Sequence, residues 1–309
     1  MLTFPALFKM FLIIIVAFAA VRCGLWDAKT NRALSKIVLY IFNPALAIYS
    51  AVSGARPYTN LQVLQFTAVA VGCYVFLVAT AFLIPKVLGL KGDSGKVYKL
   101  MYLLSNVGFY GIPVVQALFG TEAVLLTTFF NLPFQVVSFT FGVTLASPRE
   151  EDNKFSFKML THPMILACVL AYILYLGRVQ VPDFLKEALN FTGQATSPCA
   201  MVVVGTALAF VPLKNVFLSW RQYVLSLIKM VLLPVILLTI LRLIFPRGTG
   251  NDEIVGVAVI LMSMPAATNC AMLTSQYQGD YETAASGVFL STLLSAATIP
   301  FLMWLLKVM

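Results

Sequence analysis

Long apolar segments recur along almost the whole chain, and short polar loops separate them. A helix needs about 20 apolar residues to cross a bilayer, where only helices and closed barrels satisfy every backbone group. The pattern therefore predicts an all-α integral membrane protein with ten transmembrane helices. We place them at 4–23, 33–53, 61–84, 97–118, 122–146, 158–177, 184–210, 221–245, 253–276 and 281–306.

The composition agrees with a membrane protein and leaves no room for a soluble domain. Of the 309 residues, 60% are hydrophobic and only 11% are charged, against about 25% charged in soluble domains. The net charge of +9 comes mainly from basic residues in short loops. Such residues report topology, and we expect no nucleic-acid partner. The five cysteines are scattered singly, so neither a metal site nor a cofactor is expected.

The distribution of basic residues predicts an orientation. Thirteen Lys and Arg residues flank the loops after segments one, three, five and seven, whereas six lie on the other side. Basic residues are in excess on the cytoplasmic side of membrane proteins. We therefore expect a cytoplasmic central loop and both termini outside, in the cytoplasmic membrane of a cell.

The longest polar run, at 147–154, divides the ten segments into five and five. The predicted halves are 1–147 and 158–309, joined by a short cytoplasmic loop at 148–157. Because five is odd, a repeated second half must be inverted, as in many secondary transporters. Pro44 in segment two and Pro198 in segment seven support such an inverted repeat.

Two segments are interrupted near their middles by residues that break helices. Segment four contains SNVGFYGIP at 105–113, and segment nine contains SMPAATNCA at 263–271. Proline removes an amide donor and glycine allows close backbone approach, so we expect kinks in both segments that meet near the midplane. The predicted kink residues are Gly108, Gly111, Pro113 and Pro265.

Each interruption carries an asparagine, Asn106 or Asn269, which needs partners in the bilayer core. Half-helix N-termini provide amides and a positive dipole end to an anion, and C-terminal ends provide carbonyls to a cation. We predict a substrate site there, with Ser105 and Thr268 beside the asparagines. Kinks satisfied by neighbouring helices are the alternative for a single break, but two matched breaks favour a site.

Other polar residues within the segments have open roles. Asn43 and Ser197, before Pro44 and Pro198, serve equally well as interhelical hydrogen-bonding groups or as binding groups. Asn131 and Gln135 are better explained by helix packing. Lys229 either snorkels to the cytoplasmic surface or lends positive charge to an anion path.

The acidic residues all lie in loops or at segment ends. No midplane carboxylate is therefore available for a proton relay or a sodium ion. The lone His162 has no carboxylate or cysteine beside it, which favours a structural role. No nucleophile and base pair, metal cluster or phosphate loop is found, so we do not expect an enzyme.

These features resemble the auxin efflux carrier family of transporters, which includes plant auxin exporters and bacterial permeases for malate- or malonate-like acids. The similarity covers nearly the whole chain, and its last two stretches are the most specific. The stretches are NPALAIYSAV (43–52), NVGFYGIPVVQALFG (106–120), IKMVLLP (228–234), MPAATNCAMLTSQYQGD (264–280) and VFLSTLLSAATIP (288–300).

The resemblance implies two inverted five-helix repeats whose fourth and ninth helices cross at their kinks. It implies a scaffold domain of helices 1, 2, 6 and 7, about 4–53 and 158–210, through which a homodimer forms. It also implies a transport domain of helices 3–5 and 8–10, about 61–146 and 221–306, that slides as an elevator. By position, Asn43 and Pro44 fall where the scaffold faces the substrate, and Ser197 and Pro198 take the matching place in the second half.

The resulting expectation is a secondary transporter for a small organic anion, a mono- or dicarboxylate such as malate or malonate. An exporter of an auxin-like aromatic acid is one alternative. A sodium-coupled organic anion symporter of the related bile acid symporter type is another, although no set of acidic sodium ligands is found. A passive channel and a membrane sensor without transport are also consistent with the broken helices.

Overall fold

The computed structural model describes residues 3–53, 57–147, 163–211 and 216–308. The predicted central loop at 148–157 and His162 lie outside these residues. Within the described ranges the chain forms α-helices and four π-helical turns, and its only β pairing is one two-residue bridge. The all-α prediction is therefore confirmed for this part of the chain.

The helices run from end to end of the described sequence and follow the predicted apolar segments closely. In chain order they are α1 (Thr3–Arg22), α2 (Ala28–Ile37), α3 (Asn43–Val52), α4 (Asn60–Ala81), α5 (Leu83–Val87), α6 (Gly92–Leu103), α7 (Ile112–Phe119), α8 (Val124–Val137), α9 (Val143–Ala146), α10 (Pro163–Leu176), α11 (Asp183–Gln194), α12 (Thr196–Ala209), α13 (Trp220–Leu227), α14 (Leu233–Ile244), α15 (Asp252–Met262), α16 (Thr268–Gln276) and α17 (Tyr281–Val308). The π turns are π1 (Val38–Phe42), π2 (Val107–Gly111), π3 (Ser138–Gly142) and π4 (Ile228–Leu232).

Several helical stretches are long and apolar enough to cross a membrane. Four meet this description by themselves, namely Ala28–Val52, Asn60–Ala81, Trp220–Ile244 and Tyr281–Val308. A fifth is bent by 43° between Val124–Val137 and Thr140–Ala146, and Val107–Phe119 and Pro163–Leu176 are apolar but shorter. Length and composition therefore identify four or five spans among the described helices, and the full set of ten stays a prediction.

Proline explains three of the four π turns. Pro44, Pro113 and Pro234 each lie in the first turn of the α-helix that follows π1, π2 or π4. Proline has no N–H to give to the carbonyl four residues earlier, and the ladder widens just before it. Asn43 N thus donates to Val38 O, five residues back. The sequence interruptions at these prolines therefore bend the ladder without ending the helix.

Segment seven contains a break that was not predicted. Ala195 separates α11 from α12, and its N–H donates to Thr192 O at 3.3 Å. The physical reason is Pro198, which cannot donate to the Gln194 carbonyl four residues earlier. Proline therefore acts here on the turn before it, while Ser197 and Pro198 lie in the first turn of α12.

The chain divides into two compact units, and each combines segments from both halves of the sequence. Unit 1 comprises Met1–Ala68, Val107–Leu132 and Phe157–Phe210. Its main packing joins α1 to α12, and α3 to both α10 and α11. Glycine permits the first contact, because a Cβ on Gly205 of α12 would press on the Ile14 carbonyl oxygen.

Unit 2 comprises Val69–Asn106, Pro133–Ser156 and Val211–Met309. Its centre is α15, which is buried from Ile254 to Met262 and packs against α14 and α17. A helix that is apolar on every side is expected to be surrounded by other elements. Helix α17 also contacts α6, α13 and α16, so unit 2 brings together parts of segments four, eight, nine and ten.

Candidate functional site

The two predicted interruptions pair with each other inside unit 2. Ser105 and Ala266 form an antiparallel bridge. The Asn106 N–H donates to the Pro265 carbonyl at 2.8 Å, and the Ala267 N–H donates to the Leu104 carbonyl at 2.9 Å. Each break thus supplies the hydrogen bonds that the other has lost, which is how irregular backbone persists at membrane depth.

Each paired stretch lies between two half-helices. The first half-helix, α6, ends at Leu103, and Leu104 is extended with φ −94° and ψ 103°. The second break runs from the end of α15 at Met262 to the start of α16 at Thr268. Of the four predicted kink residues, only Pro265 lies inside a break. The other three, Gly108, Gly111 and Pro113, follow the first break, in π2 and the first turn of α7.

Polar side chains at the paired breaks are buried with donors left over. Asn106 is 2% exposed and Thr268 is 4% exposed. The Asn106 Nδ2 and the Thr268 Oγ1 have no hydrogen-bond partner. A buried polar group without a partner costs about 1–3 kcal/mol. These two unpaired donors therefore destabilise the fold unless a ligand accepts hydrogen bonds from them.

The start of α16 adds backbone donors at the same place. Helix α16 begins at Thr268 and Asn269, and no side chain caps it. The first amides of any helix have no intrahelical acceptor, and they carry the positive end of the helix dipole. Ser105 is buried and Asn269 is partly buried. The arrangement presents N–H and O–H groups and is suited to an acceptor-rich anion.

Lys229 lies behind the paired breaks and does not snorkel. Its side chain is 2% exposed. Its Nζ donates to the Met101 carbonyl at 2.5 Å and to the Leu104 carbonyl at 2.9 Å. Of the two alternatives for Lys229, the one in which it reaches the cytoplasmic surface is therefore wrong. The reason is that the C-terminal end of α6 provides backbone carbonyls and a partial negative charge within reach.

A second polar group occurs within unit 1, around Gly108. A Cβ at Gly108 would lie 3.7 Å from Asn43 Nδ2 and 3.9 Å from Asn131 Nδ2. Asn43 is fully buried, and neither of its amide side-chain atoms has a hydrogen-bond partner. Asn131 is buried as well, and so is Gln135, which belongs to unit 2. A Cβ at Gly108 would be in ordinary van der Waals contact with both, so the side chains of Asn43 and Asn131 lie close to the Gly108 backbone.

The predicted scaffold residues are placed in unit 1 by their helices. Pro44 lies in the first turn of α3. Ser197 Oγ donates to Gln116 Oε1 of α7 at 2.6 Å. Gln116 was not singled out from the sequence, although it is a lone polar residue three positions after Pro113.

Ser291 is another contributor that was not assigned to the site. Its Oγ accepts from the Ala266 N–H at 3.2 Å and donates to the Gly287 carbonyl at 2.7 Å. The sequence signal that could have found it is the spacing of small and polar residues every four positions in segment ten, at Gly287, Ser291 and Ser295. The hydroxyl thus supports the second break from α17.

Comparison with known proteins identifies the family. The family model described as "Membrane transport protein" matches residues 2–158 and again residues 153–303. An uncharacterized transporter of Methanocaldococcus jannaschii is 25% identical over 301 residues, 96% of each chain. A protein of Rhizobium meliloti named "Putative malonate transporter" is 33% identical over 147 residues, 47% of this chain and 44% of that protein. The chain belongs to the membrane transport protein family, the auxin efflux carrier family that its sequence resembles.

Proposed function

We propose that this membrane transporter is a secondary carrier of a small organic anion, a mono- or dicarboxylate such as malate or malonate. The observation that carries the proposal is the set of unused donors at the paired breaks. They are the Asn106 amide and the Thr268 hydroxyl, beside the start of α16, which no side chain caps. An ionised carboxylate has acceptors only, so it satisfies donors of this kind without adding new unpaired groups.

The proposed contacts follow from the chemistry of each group. A carboxylate oxygen accepts from Asn106 Nδ2 and Thr268 Oγ1, and the first amides of α16 stabilise its charge. Ser105 and Asn269 complete the set from the two sides of the break. Asn43, which has unused amide atoms in unit 1, is a further candidate for substrate contact.

Two other observations favour an anion over a cation or a neutral solute. Lys229 places a buried basic side chain beside the same break. In addition, one relative is named for malonate, which is a dicarboxylate, although the matched region is less than half of either chain. A malonate-like acid is therefore the first substrate to test.

The proposed mechanism is an elevator within an inverted repeat of ten helices. The two consecutive family matches divide the chain near the predicted central loop, which supports a repeat. The proposed scaffold ranges 4–53 and 158–210 fall within unit 1, and most of the proposed transport domain falls within unit 2. We further propose a homodimer through the scaffold, in the cytoplasmic membrane, with both termini outside and the central loop inside.

Counterflow in proteoliposomes tests this function. Vesicles loaded with unlabelled malonate are diluted into labelled malonate, first with sodium salts and then with potassium salts. A carrier must accumulate label transiently, because unlabelled substrate leaving the vesicle drives exchange. Malate and an indole acid are tested in the same way. Malonamide, which lacks carboxylates, and protein-free vesicles are the controls.

The outcomes separate the candidate functions. Saturable counterflow of a carboxylate, with none for malonamide, supports the proposal. Flux that does not saturate and gives no counterflow indicates a channel. Binding without accumulation indicates a sensor, and counterflow of the indole acid alone indicates an exporter of aromatic acids. The last three results would each contradict the proposed substrate or mechanism.

A further inference from the structure

The amine of Lys229 occupies an unusual position for a lysine. It lies in π4, is almost fully buried, and donates to two backbone carbonyls at the C-terminal end of α6. One of them, Leu104 O, also accepts the Ala267 N–H across the paired breaks. Lys229 therefore holds the junction between the first half-helix and the second break.

A small pocket surrounds this amine, with room for about one water molecule. Among the described residues that line it, Lys229 alone carries a charge. The amine donates to the carbonyls of Met101 and Leu104, and the hydroxyls of Ser226 and Ser291 and the side-chain amide of Gln222 line the pocket. The ammonium group is thus held by neutral oxygen atoms, in contrast to an ion pair.

A set of neutral oxygens at the end of a broken helix is the environment in which carriers bind a metal cation. Unwound carbonyls and half-helix C-terminal ends coordinate sodium in several transporter folds. An ammonium has the same charge as sodium and meets the same oxygen atoms through its three N–H donors. Unlike a free ion, it cannot leave.

We propose that the Lys229 ammonium is a tethered cation, which takes the place of a metal ion at the carbonyl end of α6. The junction is therefore complete without sodium, and the cation is present in every step of the transport cycle. The role of Lys229 in transport rests on the proposed carrier function. Its role at the junction is independent of that function, because it concerns the protein without substrate.

Thermal unfolding of the purified protein tests the junction without any substrate. Wild-type Tm is expected to be the same in sodium, potassium and choline chloride at equal ionic strength. Lys229→Ala removes both hydrogen bonds of the amine and leaves a cavity, so its Tm is expected to fall. Sodium or propylammonium should then raise the Tm of Lys229→Ala by about 2–4 °C or more. Tetramethylammonium, which has no N–H donor, should not.

Uptake into proteoliposomes is a second measurement on Lys229 variants. Lys229→Ala is expected to lose uptake by about tenfold or more and to recover part of it with propylammonium inside and outside the vesicles. Lys229→Arg, which keeps the charge, should retain more uptake than Lys229→Gln, which keeps only an amide donor. The comparison of arginine with glutamine also applies if Lys229→Ala does not fold.

Several results would overturn the proposal. One is a wild-type Tm that rises in sodium but not in potassium or choline. Another is a Lys229→Ala protein whose Tm equals that of the wild type, or whose lowered Tm is not raised by any of the cations. A Lys229→Gln protein with wild-type uptake would show that the charge is not needed. If no carboxylate is transported by the wild type, the carrier function fails, whereas the Tm measurements still decide the tethered cation.

Discussion

Asn106 has a buried side-chain donor that makes no hydrogen bond within the fold. Its backbone N–H is used in the pairing of the breaks, while its side-chain Nδ2 has no partner. The Thr268 Oγ1, also within unit 2, has no hydrogen-bond partner either. A stable fold alone would favour apolar residues at both positions. We infer that ligand binding is what the two side chains serve.

Asp252 allows a prediction at the same scale, outside the membrane segments. The Arg242 side chain donates to Asp252 Oδ1 at 2.6 Å, and the Gly248 N–H donates to Oδ2. These hydrogen bonds, that from Arg242 first, lower the pKa of Asp252 below its ordinary value. A lowered carboxyl pKa stabilises the fold above the unfolded pKa, and this contribution is lost as the pH falls through the folded pKa.

The Tm difference between wild type and Arg242→Gln should therefore be largest at neutral pH and shrink below about pH 4. Because the pair is partly exposed, we expect a difference under about 1 kcal/mol, or about 2–4 °C at most. Unfolding scans from neutral to acidic pH measure it. Arg178→Gln, at an exposed arginine, is the control. A difference that stays constant over the whole range would contradict the assignment.

At the scale of helices, the sequence predicts breaks and close packing mainly from the positions of proline and glycine. Pro265 and the polar residues around it locate the second break, because a missing N–H acts on its own turn. Contacts between residues that lie far apart in the sequence cannot be predicted in this way. The contact of Lys229 with the Met101 carbonyl spans 128 positions, and local pattern contains no information about it. The snorkelling expectation failed for that reason.

Helix packing in unit 1 gives the prediction at this scale. A Cβ on Gly205 of α12 would meet the Ile14 carbonyl oxygen and lie 2.9 Å from Ala17 Cβ of α1. Gly205→Ala should therefore force α1 and α12 apart and destabilise the protein by about 1–3 kcal/mol. Gly72→Ala in α4, where a Cβ has nothing within 4 Å, is the matched control and should be neutral or stabilising.

Unfolding in detergent measures both glycine variants side by side. The expected order of Tm is Gly72→Ala at or above wild type, and Gly205→Ala clearly below it. Equal values for the two variants would mean that α1 and α12 have room to separate without cost.

At the scale of the whole molecule, the sequence predicts the class and the placement of the helices better than the details of the site. Recurrent apolar segments predict helices because bilayers require them, and α1, α4 and α17 begin and end close to the predicted bounds. The meeting of the two breaks follows from their matched positions. Gln116 and Ser291 were not assigned, because a side chain becomes part of a site only through tertiary contacts.

The most direct test of the proposed site is whether malonate binds at the paired breaks. Malonate is titrated into purified wild type, Asn106→Ala, Asn269→Ala and the control Asn190→Ala, at a partly exposed asparagine of α11, while Tm is followed. A carboxylate site at the paired breaks predicts a saturable rise of Tm for wild type and Asn190→Ala. It predicts binding weakened by about 10- to 150-fold in the two site variants, with their Tm in the absence of malonate nearly unchanged. An equal rise in all four proteins would contradict a carboxylate site at these breaks.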